Sequence, residues 1–222
     1  MRRLVLVRHG ESLYNAEARI QGQRCAGLSE LGHEQAKLTA LALAEAHPTA
    51  RLVTSDLQRT VETTAPLVAA LGRPAEEDPR LRERSFGRWE GRLRDEVIAD
   101  EPERWQRWLV GDDVIGEVGG ESTVQLADRV EPFLRALLAA TPAEGVTIAV
   151  THGGPVWHGL HRLLELPRPV LGGVDNCSVT EVGSPGEGAV LLLRWNEVGH
   201  LPHDLRSTWR SAQAANGPPV GR

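Results

Sequence analysis

Leu4-Val5-Leu6-Val7 runs straight into Arg8-His9-Gly10, and Val146-Thr147-Ile148-Ala149-Val150 runs straight into Thr151-His152-Gly153-Gly154. The first run is short and unbroken and the second is interrupted only by Thr147, the pattern of strands buried on both faces. Such strands need helices on both sides of their sheet, which predicts a three-layer α/β/α fold with a mostly parallel central sheet. Ligands of open α/β sheets bind at the carboxyl ends of the strands. Two His-Gly units placed there, on neighbouring parallel strands, can converge on one ligand. The helix opened by Gly153-Gly154 offers backbone N–H groups and the positive end of its dipole, both of which favour an anion.

The rest of the chain keeps the same rhythm. Ser29 can cap a helix whose stripe is Leu31, Gln35, Leu38 and Ala42, with Leu41 alongside, and Pro48 stops it. Arg51–Thr54 reads as a second strand. Ser55 or Asp56 then caps a helix with Leu57, Val61, Ala65, Val68 and Leu71 on one face, ended by Gly72. Residues 80–120, with Trp89, Trp105 and Trp108 and several glycines, read as loops and short helices laid over the sheet. A helix over 121–140 turns Ala127, Val130, Leu134, Leu137 and Leu138 inward, and Pro132 predicts a kink or a late start. Pro155 suits the first turn of the helix after the second His-Gly unit, with Val156, Leu160, Leu163 and Leu164 inward. Strands near 177–182 and 189–195 read as a hairpin. Residues 1–210 are expected to form one domain, with a frayed tail over 211–222.

Composition narrows the class. The chain has 222 residues, and 24 of its 25 basic residues are arginine, Lys37 being the one lysine. Against 30 acidic residues this leaves a net charge of -5, which argues against a nucleic-acid or anionic-membrane partner. Two cysteines, Cys25 and Cys177, make no disulfide scaffold. The apolar run after Arg2-Arg3 is too short for a signal peptide, and no stretch approaches the 20 or so apolar residues of a membrane span. A cytoplasmic protein is expected.

Five ordered blocks carry a resemblance. Leu6-Val7-Arg8-His9-Gly10-Glu11-Ser12 with Asn15; Ser55-Asp56-Leu57-Gln58-Arg59-Thr60 with Thr63-Thr64-Ala65; Leu81-Arg82-Glu83-Arg84-Ser85-Phe86-Gly87 with Trp89-Glu90-Gly91; Gly119-Gly120-Glu121-Ser122; and Thr151-His152-Gly153-Gly154 resemble, in order and spacing, the histidine phosphatase or phosphoglycerate-mutase-like superfamily. The resemblance implies a phosphomonoesterase. His9 would be the nucleophile, forming a phosphohistidine. Arg8, Arg59 and His152 would hold the phosphoryl oxygens, helped by Asn15 and the backbone at Gly153. Glu83 would protonate the leaving oxygen and later deprotonate water. The scheme calls for no cofactor and no metal, only a small-molecule phosphoester, and it leaves a homodimer open. Arg82 and Arg84 are expected to be surface or supporting charges.

Several rivals stand beside this reading. His158 with His161, and His200 with His203, have a spacing that a metallohydrolase could use, but no carboxylate-rich motif accompanies them. Trp105 and Trp108 read as packing or as a specificity wall. Relatives often carry Asp where this chain has Cys25. A phosphoglycerate mutase would carry a longer insertion after the acid/base segment and a lysine-bearing stretch, neither of which is here. A non-catalytic phosphoester-binding relative would be expected to lack one of His9, Arg59, Glu83 or His152. Within the phosphatases, Gln21-Gly22-Gln23, Leu171-Gly172-Gly173 and Asn176 resemble the glucosyl-3-phosphoglycerate phosphatases.

Overall fold

The computed structural model describes residues 1–24, 27–167, 170–186 and 188–206. The chain starts with β1 (Arg2–Arg8), a one-turn helix α1 (Leu13–Ala16) and the long helix α2 (Glu30–Ala46). It continues through β2 (Arg51–Thr54), α3 (Gln58–Leu71) and β3 (Ala75–Glu77). Short helices α4 (Arg94–Asp100) and α5 (Pro102–Leu109) lead into α6 (Thr123–Ala140), β4 (Val146–Thr151) and α7 (Gly153–Leu163). The hairpin β5 (Val179–Gly186) and β6 (Ala189–Glu197) closes the sheet. The strand order is β3-β2-β4-β1-β5-β6, parallel from β3 to β1 and antiparallel from there to β6.

The continuous apolar strands are covered on both sides, as their sequence demands. Leu4, Leu6 and Ala149 join Val130, Leu134, Val156 and Leu160 of α6 and α7. Val5, Val7, Ile148 and Val150 join Leu43 and Leu67 of α2 and α3 on the other face. Burying each such side chain is worth about 1.5–3 kcal/mol. A third cluster, with Trp89, Val97, Trp105, Val114, Ile115 and Val118, closes the middle segment on itself.

Helix faces depart from the sequence reading in two places. In α2 the buried residues are Gly32, Gln35, Ala36, Thr39, Ala40 and Leu43, while Leu41 is 64% exposed. Small side chains let α2 approach its neighbours closely, and that outweighs the larger leucines one position away. In α3 the buried residues are Arg59, Thr60, Thr63, Thr64 and Leu67, while Ala65 is exposed and Val61 and Val68 are half-buried. The threonines can go inward because each hydroxyl donates to a carbonyl of its own helix turn. Neither Ser55 nor Asp56 caps α3; its N-cap is Leu57, with no side-chain bond.

Helix α6 begins at Thr123, capped by Ser122, and runs through Pro132, so the late start is not observed. The edge strand β3, Ala75-Glu76-Glu77, has no apolar pattern and was not anticipated. The tail over 211–222 lies outside the described residues. Among the described residues no helix is long and apolar enough to cross a membrane.

Candidate active site

Strands β1 and β4 lie side by side with Arg8 opposite Thr151. The residues that follow them, His9 and His152, therefore leave the sheet together. Their rings meet edge to face with centroids 5.2 Å apart, and both are buried. Nδ1 of His9 lies 2.7 Å from the Gly10 carbonyl oxygen. A carbonyl can only accept, so Nδ1 carries the proton and Nε2 keeps a lone pair. That lone pair accepts a hydrogen bond from Arg59 Nε at 3.2 Å. Burial first, then the charges of Arg59 and Arg8, hold His9 well below the usual histidine value, so the ring is neutral at pH 7.

His152 lies 3.0 Å from Ser55 Oγ through its Nε2. Its Nδ1 is buried and has no hydrogen-bond partner among the described residues. Burial, then Arg59, His9 and Arg8, push this ring well down too. Arg59 rises from the first turn of α3 and is completely buried. Its Nη1 donates to Arg24 O at 3.1 Å and its Nη2 to Gly22 O at 2.8 Å, which ties the 22–24 loop to the site. Arg8 gives Nη1 to Val174 O, and its Nε is buried without a partner among the described residues, beside Gly153. Burial lowers its guanidinium from the ordinary value, against the opposing charges of Glu83 and Asp175. The buried Arg59, Arg8 with its buried, unpartnered Nε, and the unpartnered Nδ1 of His152 form a cationic cradle around the neutral His9. Buried charge of this kind is stable when an anion meets it.

Glu83 approaches from the other side. Its Oε1 accepts from Arg84 N at 2.8 Å and its Oε2 from Gly154 N at 3.2 Å. Of the two amides expected to face an anion, the one at Gly154 is thus taken by Glu83. The glycine at 154 leaves room for this seat, because a Cβ there would lie 2.1 Å from Glu83 Oε1 and push the carboxylate aside. Arg8, His9, Arg59, Glu83, His152 and Gly153 lie together at the ends of β1 and β4. Asn15 joins them at one remove: its Oδ1 accepts from Asn176 Nδ2 at 3.3 Å, and that same nitrogen donates to His9 O at 2.9 Å.

Other residues of the site were not anticipated in their roles. Ser55, read as a cap, is the partner of His152. Thr63 Oγ1 accepts from Gly10 N at 3.0 Å. Glu90 Oε1 accepts from both Gln23 N and Phe86 N, locking the 22–24 loop to the segment after Glu83. Arg84, expected as a surface or supporting charge, takes the supporting place: it is only 5% exposed, pairs with Asp113 and donates to Glu121 O at 2.6 Å. A run of alternating charges gives no sign that residues 113–121 fold over one of them.

The rival clusters take structural places. His161 packs its ring on Trp157, with centroids 3.9 Å apart, and His200 meets Thr39 Oγ1 at 2.9 Å. Among the described residues no three His, Cys, Asp or Glu gather as metal ligands. Trp105 and Trp108 pack against Trp89 within the middle cluster. Cys25 lies outside the described residues. Cys177 is a buried free thiol that burial pushes up to about 12.

Residues 4–198 match the family model of the histidine phosphatase superfamily (branch 1). The chain is 37% identical to the glucosyl-3-phosphoglycerate phosphatase of Mycolicibacterium vanbaalenii, over 92% of this chain and 99% of that one. It is 36% identical to a protein of Yersinia pestis named "Probable phosphoglycerate mutase", over 82% of this chain and 85% of that one. Among solved structures, mycobacterial glucosyl-3-phosphoglycerate phosphatase in complex with VO3 superposes with a TM-score of 0.79 at 36% identity, covering 88% of this chain and 99% of the other.

Proposed function

The chain belongs to the histidine phosphatase superfamily (branch 1) and is a phosphatase; from that premise we propose that it hydrolyses a small phosphomonoester of the phosphoglycerate type through a phosphohistidine at His9. The observation that carries the reading is the neutral His9 ring, with Nδ1 held by Gly10 O and the Nε2 lone pair turned to Arg59. A neutral imidazole at pH 7 is a competent nucleophile without an added base.

In the first step Nε2 of His9 forms the N–P bond as the P–O bond to the leaving alcohol breaks. Glu83 donates its proton to that oxygen. Arg8, Arg59 and Nδ1 of His152 hold the three peripheral oxygens, with Asn15 and the Gly153 backbone closing the cradle, so that developing charge meets fixed donors. In the second step water attacks phosphorus, gives a proton to Glu83, and the N–P bond breaks to release inorganic phosphate. Glucosyl-3-phosphoglycerate is the preferred candidate substrate, supported by the names of relatives at 36–37% identity.

The partner in this reading is a small anion, with no nucleic acid, in keeping with the net charge of -5. Phosphorylated metabolites do not cross bilayers unaided, which supports a cytoplasmic enzyme. A homodimer suits the open edge of β6, where Leu191, Leu192 and Leu193 are exposed and an antiparallel strand can pair with its own copy about a twofold axis. Light scattering at working concentration tests it.

Phosphate release from glucosyl-3-phosphoglycerate, 3-phosphoglycerate, sugar phosphates and p-nitrophenyl phosphate, with and without chelator, tests the function. Release that survives chelator and collapses in His9→Ala is expected. Full activity in His9→Ala overturns the nucleophile. Phosphoryl transfer to an acceptor phosphoglycerate without release would make the enzyme a mutase, and binding without turnover would make it a receptor.

A further inference from the structure

Residues 80–83, which carry Glu83, belong to no sheet ladder, yet each of their four carbonyls accepts a hydrogen bond from a side chain elsewhere. Arg129 Nη1 donates to Arg80 O at 2.7 Å and to Arg82 O at 3.1 Å. Thr151 Oγ1 donates to Leu81 O at 2.7 Å. Gln23 Nε2 donates to Glu83 O at 3.1 Å. Arg129 is itself aimed by a two-point pair, Nε to Glu121 Oε1 at 2.8 Å and Nη2 to Glu121 Oε2 at 2.7 Å. Glu121 is anchored in turn: its N–H donates to Ser85 O at 2.9 Å and its carbonyl accepts from the buried Arg84.

We propose that Arg129, aimed by Glu121, is a positioning residue for proton transfer by Glu83. The inference rests on the reading of Glu83 as the acid. A proton donor must sit within about 2.6–3.2 Å of the leaving oxygen, and a displacement of about 1 Å can cost roughly 100-fold. The backbone around Glu83 has no ladder to hold it to that tolerance, and Arg129 supplies the missing hydrogen bonds on both sides of Leu81. The planar fork is essential to this role. Nε and Nη2 engage one carboxylate while Nη1 reaches two carbonyls, an arrangement a lysine ammonium cannot reproduce.

The role predicts a defect that depends on the leaving group. Alkyl phosphates expel a poor leaving group and need the proton, whereas p-nitrophenyl phosphate needs it far less. In Arg129→Gln, kcat/KM on 3-phosphoglycerate or glycerol phosphate should fall roughly 10–100-fold, and on p-nitrophenyl phosphate by less than about 3-fold. Arg129→Lys should keep most of the defect. Glu121→Gln, which leaves the arginine in place but loosens its aim, should show the same selectivity more mildly and serves if Arg129→Gln does not fold. Equal losses on both substrate types, or full recovery in Arg129→Lys, would overturn the proposal. Glu83→Gln is run alongside. If it shows no leaving-group dependence, the acid assignment itself fails, and this outcome is distinct from a failure of Arg129 alone.

Discussion

Arg59 Nε donates a hydrogen bond to His9 Nε2 across 3.2 Å. The lone pair that would attack phosphorus is thus held by the guanidinium that would grip the phosphoryl oxygens. Its other nitrogens are pinned by Gly22 O and Arg24 O, so the bond to His9 is the one to be exchanged when a phosphoryl group arrives.

Replacing this fork by a point charge tests the assignment. Arg59→Lys keeps the charge and loses the simultaneous contacts to His9, Gly22 and Arg24. Its kcat/KM should drop by roughly 10²–10³, the usual effect of removing one preorganised donor to the transition state. Steady-state phosphate release measures it, and a loss of only a few-fold would remove Arg59 from the cradle.

The two neutral histidines impose a pH dependence on stability. Both rings have folded-state values well below the ordinary 6.5. Below about pH 6.5 the unfolded chain binds protons on them that the folded chain refuses. Their contribution is intact above pH 6.5 and is lost as pH falls, by up to about 1.4 kcal/mol per pH unit for each ring. Urea unfolding between pH 5 and 7 should show this slope, to which the lowered His47 and His200 add in the same direction, and His9→Gln should make it shallower. An unchanged slope in that variant would mean that His9 is not held neutral.

Cys177 should be chemically silent in the folded protein. Its thiol is buried and pushed up to about 12, far from the thiolate that reagents need. In Cys25→Ser, an aromatic disulfide reagent at pH 8 should label nothing until urea is added, and then one thiol per chain. Rapid labelling of the native protein would contradict the burial.

The parts of this molecule that were legible in the sequence are those in which one residue type has one physical meaning. Leu4–Val7 is apolar without a break and Val146–Val150 is broken only by a threonine, so a doubly covered strand fits both, and the His-Gly units then fall at the strand ends. Residues whose role comes from distant chain were not legible. The polar buried face of α3 depends on threonines bonding within their own turn. Arg84 and Arg129 acquire their roles from residues 113–121 folding back over the Glu83 segment, a contact between loops that leaves no period in the sequence.

Two glycine substitutions separate geometry from stability. In Gly32→Ala the new Cβ would meet the Glu11 carbonyl oxygen at 2.0 Å. That oxygen is backbone and is fixed further by Ser29 N at 2.9 Å, so α2 or the 10–12 loop has to shift. A loss of about 1–3 kcal/mol is expected, as for overpacked sites. In Gly154→Ala the Cβ would meet Glu83 Oε1 at 2.1 Å, the far end of a side chain that can swing away. Helix α7 gains a better helix former in its first turns, and Glu83 loses its seat on Gly154 N–H. The melting temperature should hardly move while kcat/KM on an alkyl phosphate falls roughly 10-fold or more. Thermal unfolding and kinetics on the same preparations decide it. A Gly154→Ala enzyme of full activity would show that the Glu83 carboxylate does not work from the position it takes at the start of α7.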